Sequence, residues 1–278
     1  MTDVREHRLR IGARDVTLLE GPAGWGEMSP LPGYSCDPGA ARAAAEEAAC
    51  CGWPAAVRAS VDVNALVSGR PVDAVALAGF PCVKVKVGSP GDVDLVAEVR
   101  DVIGPAVALR VDANGAWDLE SAGDMLGRMA RHDLELAEQP VASLDDLARL
   151  RRRVDVPLAA DECVRTVDDA RRLAALDAAD AVVLKVQPLG GVRAAMAVAA
   201  AAGVPAVVTS MMETSVGLAA GLALAAALPE LRYACGLATV AALAGDVVRD
   251  PLIPVDGSLP VRRPVPDPQL LARYAVTS

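Results

Sequence analysis

The chain has 278 residues, 53% of them hydrophobic and 3% aromatic, with a formal net charge of −9. That length fits one large α/β domain, or a barrel with a small accessory domain, around a core of Val, Leu and Ala. An acidic balance with no basic stripe argues against nucleic acid. The charged opening Met-Thr-Asp-Val-Arg-Glu-His-Arg does not read as a secretory signal. The Ala-rich runs near 194–208 and 216–228 are broken by Gly and Pro and are too short to span a bilayer. Six cysteines without a C-x-x-C pair read as reduced thiols of a cytoplasmic protein, and two histidines leave little room for histidine-based chemistry.

In chain order, residues 1–56 read as irregular. A strand near 8–19 leads into a loop, Gly24-Trp25-Gly26-Glu27-Met28-Ser29-Pro30-Leu31-Pro32-Gly33-Tyr34-Ser35, and then a helix over about 38–51. From residue 57, β-rich runs alternate with Ala/Leu/Arg helical stretches. The runs are Val57–Ala65, Cys82–Val87, Val107–Ala113, Leu134–Glu138, Pro157–Asp161, Ala181–Val186, Pro205–Ser210 and Arg232–Gly236. Eight such runs predict a parallel barrel. An open doubly wound sheet is less suited, because no Gly-rich phosphate turn follows the first strand. After about 240 the pattern fades into a proline-punctuated tail, expected to run back over the N-terminal segment. The predicted division is therefore a capping segment at 1–56, a barrel at 57–240 and a returning segment at 241–278.

Lysine usage singles out the site. The chain has 24 arginines and three lysines. Lys84 and Lys86 lie in Val83-Lys84-Val85-Lys86-Val87, and Lys185 lies in Ala181-Val182-Val183-Leu184-Lys185-Val186. Period two puts Lys84 and Lys86 on one face of a strand. Each strand from the second to the sixth ends near an ionisable residue: Lys86, Asp112, Glu138, Asp161 and Lys185, spaced 26, 26, 23 and 24 residues apart. A barrel gathers these five at one rim, the end where barrel enzymes hold their sites. One such acid alone reads as a helix N-cap, and ion pairs inside a barrel need not lie at one end. Three carboxylates from adjacent strands repel one another unless a hard divalent cation of the Mg²⁺ kind joins them. Lys84, one layer below Lys86, is expected to lower the pKa of Lys86 toward that of a general base. Such parts suit removal of a proton α to a metal-held carboxylate.

Lys84-Val85-Lys86, Val111-Asp112-Ala113-Asn114-Gly115-Ala116-Trp117, Glu138-Gln139-Pro140, Ala160-Asp161-Glu162 and Leu184-Lys185 resemble, in order and spacing, the enolase superfamily. The likeness is to its Lys-x-Lys, muconate-lactonizing-enzyme-like subgroup, and it covers most of the chain. It implies a modified (β/α)8 TIM barrel of (β/α)7β type with a small, shortened α+β capping domain. By the same resemblance Asp112, Glu138 and Asp161 would hold Mg²⁺, with Mn²⁺ as a substitute, and Lys86 and Lys185 would be the acid/base pair.

Within the superfamily, the loop at 26–35 and the stretch Thr209-Ser210-Met211-Met212-Glu213-Thr214-Ser215-Val216-Gly217-Leu218 are most similar to the o-succinylbenzoate synthase family. This likeness implies a lyase of menaquinone biosynthesis. It would form o-succinylbenzoate from 2-succinyl-6-hydroxy-2,4-cyclohexadiene-1-carboxylate by syn loss of water, through a metal-stabilised enediolate. Lys86 would take the α-proton and then protonate the departing hydroxyl, while Lys185 stays cationic on the other face. Lys84 and Asn114 would also meet this small-molecule carboxylate, and the N–H groups of Ser210 and Met211 would take the succinyl carboxylate at a helix N-terminus. Neither nucleic acid nor membrane is implied.

The cap of about 56 residues is short for the superfamily, and Gly115 leaves no side chain beside Asn114. The same parts would serve an N-succinylamino-acid racemase or dipeptide epimerase, which needs both lysines, or a muconate cycloisomerase, which needs one. A non-catalytic binding barrel would lack some of the five residues, and none is lacking.

Overall fold

The computed structural model describes residues 4–276. Three antiparallel strands come first, β1 (Arg5–Ile11), β2 (Arg14–Gly21) and β3 (Gly24–Met28), in that order in one sheet. Helix α1 (Pro38–Glu46) packs on them and is prolonged by a wider turn through Cys51. Its start is set by Pro38 in the first turn and by Asp37, whose carboxylate accepts from Ala40 N at 2.9 Å.

The single strand expected at 8–19 is thus two strands, and the expected loop begins with a third. The chain can turn at residue 12 because Gly12 takes φ 58. Gly26 is needed for contact, not flexibility: a Cβ there would lie 2.0 Å from the Ala45 carbonyl oxygen of α1. Glycine spacing that reads as loop chemistry is here the footprint of a helix lying close on a sheet.

The barrel follows. β4 (Ser60–Asp62) precedes β5 (Asn64–Val67), and α2 (Ala74–Leu77) leads to β6 (Cys82–Lys86). Then strands and helices alternate: α3 (Asp92–Ile103), β7 (Ala108–Asp112), α4 (Leu119–Met129), β8 (Leu134–Glu138), α5 (Leu144–Arg151) and β9 (Leu158–Ala160). The series ends with α6 (Val167–Leu176), β10 (Ala181–Lys185), α7 (Val186–Leu189), α8 (Val192–Ala202), β11 (Ala206–Thr209) and α9 (Ser215–Ala227). Strands β5 to β11 form one parallel sheet in chain order.

The eighth run makes only bridge contacts. Cys235 pairs with Val63, and Gly236 with Thr209. These close the ring through Asn64 N to Cys235 O at 2.9 Å and Ser210 N to Gly236 O at 3.1 Å. The first run also differs from expectation. It divides at Val63, so that β4 leaves the barrel to pair antiparallel with β12 (Ser258–Pro260). The architecture is a modified barrel with a small N-terminal cap.

Strand alternation separates two environments. Val83 and Val85 of β6 join the large core between barrel and helices, whereas Leu136, Ala159, Ala181, Val183, Val207 and Tyr233 form a separate inner cluster. The tail crosses back to the cap. Ala275, just beyond α10 (Pro268–Tyr274), bridges Leu9, and Val276 N donates to Arg8 O at 2.9 Å. Leu9, Ile11, Val16 and Leu18 pack there with Val216, Val247 and Val248, flanked by Leu271, Tyr274 and Trp25. Among the described residues no helix is long and apolar enough to cross a membrane.

Candidate active site

Parallel strands bring their C-terminal ends to one rim. Register sets Lys86 beside Asp112, and Asp112 beside Glu138. Asp161 directly follows β9, and Lys185 ends β10. A cavity of about 600 Å³ opens there, lined by Lys84, Lys86, Asp112, Glu138 and Lys185 among others. Asn114, Ser210 and Met211 also line it, whereas Asp161 is not part of the lining and is bonded to Lys185.

The charged groups interlock. Lys84 Nζ donates to Asp112 Oδ2 and to both oxygens of Glu138, each at 3.0 Å. Lys86 Nζ donates to the same Asp112 Oδ2 at 2.6 Å and to Asn114 Oδ1 at 2.7 Å. Asp112 Oδ2 therefore links the two ammonium groups, which are close neighbours on one face of β6. Lys185 Nζ bonds Asp161 Oδ2 and reaches Tyr34 Oη at 3.3 Å. Its ammonium lies 4.7 Å from the centre of the Tyr34 ring, a cation–π distance.

Titration follows from this packing. Burial pushes Glu138 up to about 7, with Asp112 adding to the effect and Lys84 opposing it. Burial also acts on Asp112, but the ammoniums of Lys84 and Lys86 override it and hold that carboxyl well below the usual range. Burial works against the charged form of Lys84 and of Lys185. Asp112 and Glu138 outweigh it for Lys84, and Asp161 outweighs it for Lys185, so both lysines are held cationic.

The donor set suits a hard cation. Three carboxylates lie on adjacent strands and are almost fully buried. A fourth acid, Glu162, lines the same cavity and is pushed upward by burial and by Asp161. Four acids face Lys84, Lys86, Lys185 and Arg165 here, and burial with Asp112 beside it lifts Glu138 to about 7, a crowding of carboxylates that a divalent cation would relieve. In this arrangement no three such side chains of the described residues converge as a ready metal cage, because ammonium groups lie between the carboxylates.

Two expectations need correction. The N–H groups of Ser210 and Met211 are not open to a ligand. Ser210 N closes the barrel on Gly236 O, and Met211 N donates to Glu213 Oε2 at 2.6 Å. The N-terminus of α9 is also taken, since Glu27 accepts from Thr214 N at 3.1 Å and Gly217 N at 3.0 Å. What remains for a ligand at this wall is side-chain chemistry. Ser210 Oγ lies 2.8 Å from Thr239 Oγ1, and buried Thr209 Oγ1 and Asn64 Oδ1, from cavity-lining residues, have no partner among the described residues. Asn114, too, is committed within the protein. It joins Lys86 to Glu162, whose Oε1 accepts from Asn114 Nδ2 at 2.9 Å.

Tyr34, Glu162 and Gln139 have no role in the sequence reading. Tyr34 donates to Asp161 Oδ1 at 3.2 Å. Gln139 takes φ 40 and turns its amide to accept from Asp161 N at 2.7 Å. The signals were present as the adjacent acids Asp161-Glu162 and the polar residue directly after Glu138, but neither has a periodicity that points to a role.

Fold and site together define a barrel enzyme class. The family model "Enolase C-terminal domain-like" matches residues 69–266, and "Enolase N-terminal domain-like" matches residues 6–49. The fold is shared with muconate lactonizing enzyme from Pseudomonas putida, with a TM-score of 0.85 at 22% identity over 99% of both chains. That from Klebsiella pneumoniae gives 0.84 at 21%, again over 99% of both. Much closer in sequence is the o-succinylbenzoate synthase of Thermobifida fusca, 52% identical over 276 residues, covering 96% of this chain and 87% of that protein. The o-succinylbenzoate synthase of Mycolicibacterium smegmatis is 45% identical, covering 95% and 85%. The chain belongs to the enolase superfamily and, within it, to the o-succinylbenzoate synthase family.

Proposed function

We propose that the chain is a metal-dependent hydro-lyase forming o-succinylbenzoate from 2-succinyl-6-hydroxy-2,4-cyclohexadiene-1-carboxylate, the aromatising step of menaquinone biosynthesis. The observation that carries this reading is the placing of Lys86 on β6 and Lys185 on β10, bracketing one carboxylate set in one cavity, in a chain 52% identical to a synthase of that name.

Asp112, Glu138 and Asp161 would hold the divalent cation, Mg²⁺ by the hardness of the donors and Mn²⁺ as a substitute. When bound, the cation supplies charge that acidifies the proton α to the substrate carboxylate. Lys86, with its side chain 35% exposed toward the cavity, takes that proton at Nζ. The same Nζ then returns it to the departing hydroxyl, which makes the elimination syn. Asn114, fixed by Glu162, orients Lys86 for both transfers. Lys185 remains an ammonium and offsets the negative charge on the other face. Its Tyr34 contact supports an affinity for a flat ring.

In this reading residues 1–56 cap the barrel at 57–240, and 241–278 return to the cap; the bridge from Ala275 to Leu9 supports the last part. Residues 1–3 and 277–278, at the two ends of this division, lie outside the described residues. The enzyme would work in the cytoplasm on a small-molecule carboxylate.

The test follows aromatisation by absorbance, with N-succinyl amino acids assayed in parallel. Dehydration should exceed racemisation by more than about an order of magnitude. Comparable rates would overturn a dedicated dehydratase in favour of a shared or racemase role. Calorimetry should show Mg²⁺ binding that Asp112→Ala abolishes; no difference between wild type and variant would sink the assignment of the metal ligands.

A further inference from the structure

Two buried carboxylates play no part in this chemistry. Glu27 of β3 and Glu213, just beyond β11, are each 4% exposed. Every hydrogen bond they accept among the described residues comes from a neutral group. Glu27 accepts from Ser29 Oγ at 2.6 Å, from Thr214 N and Gly217 N, and from the Thr214 hydroxyl. Glu213 accepts from Met211 N and, at 3.3 Å, from Gln187 Nε2. Burial pushes Glu27 up to about 7 and moves Glu213 in the same direction.

A polar chain connects them. Gln187, two residues past Lys185, accepts from Ser29 N at 2.8 Å and donates to Ser29 Oγ at 3.3 Å. The order is Glu27, Ser29, Gln187, Glu213, Met211. Gly217 makes the close approach feasible, since a Cβ there would lie 2.6 Å from Glu213 Cβ and 2.8 Å from Glu27 Cδ. Arg14 clamps the same place from the cap, donating to Ser29 O and, at 3.2 Å, to Met211 O.

Two cavity walls are rooted here. The loop after Ser29 carries Tyr34 to Lys185, and Met211 and Met212 line the same cavity. Burying two acids without a cationic donor is costly, and a purely apolar seam would join cap and barrel more cheaply. The acids instead hold backbone N–H groups at fixed heights. We propose that Glu213 and Glu27 are positioning residues that fix the wall at 210–212 and the loop at 29–36 as one unit against which the succinyl tail is held. This rests on the function proposed above.

The test uses the metal-loaded, full-length chain. Calorimetry compares o-succinylbenzoate, which has the tail, with benzoate, which has the ring carboxylate alone. In Glu213→Gln a single amide oxygen cannot serve both Met211 N and Gln187. Affinity for o-succinylbenzoate should fall about ten-fold, the order expected for one lost charge-assisted bond, with benzoate altered less than about two-fold. KM for the dehydration substrate should rise in step. Gly217→Ala should give the same pattern by forcing the acids apart. If it does not fold, Ser29→Ala removes only the bridging hydroxyl and serves instead. Equal loss for both ligands, or a lower Tm with both affinities retained, would mean a merely structural role and overturn the proposal. Failure of the functional reading would be seen separately, as wild-type protein that does not bind o-succinylbenzoate.

Discussion

At the scale of single residues the site is governed by shared charge. Asp112 Oδ2 accepts from Lys84 and Lys86 at once, so no lysine there acts alone. Lys185 is different: its ammonium is held by Asp161 on one side and by the Tyr34 ring on the other. A residue that only needs to stay cationic tolerates another cation. Lys185→Arg should therefore keep part of the dehydration rate, whereas Lys86→Ala should lose about 10²–10⁴-fold in kcat, the range for a general acid–base group. Steady-state kinetics decide this, and complete loss of rate in Lys185→Arg with product binding intact would refute its electrostatic role. Glu27 carries a second prediction. Its carboxyl titrates near 7 in the folded chain against an ordinary 4.5, because it is buried and next to Glu213, and these outweigh its hydrogen bonds. Between those values the folded state holds a proton that the unfolded state has released. Stability therefore falls as pH rises through this window, by an amount on the order of 3 kcal/mol. Glutamine cannot titrate, so urea denaturation of Glu27→Gln at about pH 5 and about pH 7.5 should show a flatter dependence than wild type. Equal slopes would count against a buried, titrating Glu27.

At the scale of elements, the barrel strands were legible because two-residue alternation is strong where one face meets helices and the other meets charge. Lys84 and Lys86 point inward and Val83 and Val85 pack outward, as period two requires. Spacing alone also put Lys86, Asp112, Glu138 and Lys185 on one cavity. The cap was less legible. Gly24-Trp25-Gly26 has the composition of a loop, yet lies in a strand, since residue 26 must pass under the Ala45 carbonyl. Hydrogen-bond commitments were not legible at all. Nothing in Thr209–Gly217 tells that Glu213 occupies the Met211 N–H, or that a carboxylate from the cap covers the helix N-terminus. Those depend on which segments meet in space. The close contact at residue 26 is itself testable. Gly26→Ala places a methyl 2.0 Å from a backbone oxygen, so α1 must lift from the sheet. Overpacking of this kind costs about 1–3 kcal/mol, readable as a lower urea midpoint with an unchanged slope. A midpoint equal to wild type would mean that the helix seat is compliant.

At the scale of the whole molecule, the cap is short and is held by more than its own sequence. Its apolar face is completed by the far end of the chain: Leu271 and Tyr274 of α10 flank the cluster of Leu9, Ile11, Val16 and Leu18, and Val276 N bonds Arg8 O. The same cluster includes Val216 of α9, directly beyond the wall at 210–212. The returning tail thus braces the cap against the barrel element that bounds the cavity. Deleting the chain from Pro268 onward removes this brace without touching a strand of the barrel. Circular dichroism should retain most of the helical signal, because the helices around the barrel stay packed on their own core. The loop at 29–36 should become more sensitive to protease, since local opening tracks the loss of packing under it. KM should rise more than kcat falls, because Lys86 and Lys185 stand on barrel strands and keep their places, while Tyr34 stands on the loop. A truncated enzyme with wild-type KM and an equally resistant loop would show that the cap is seated by the barrel alone.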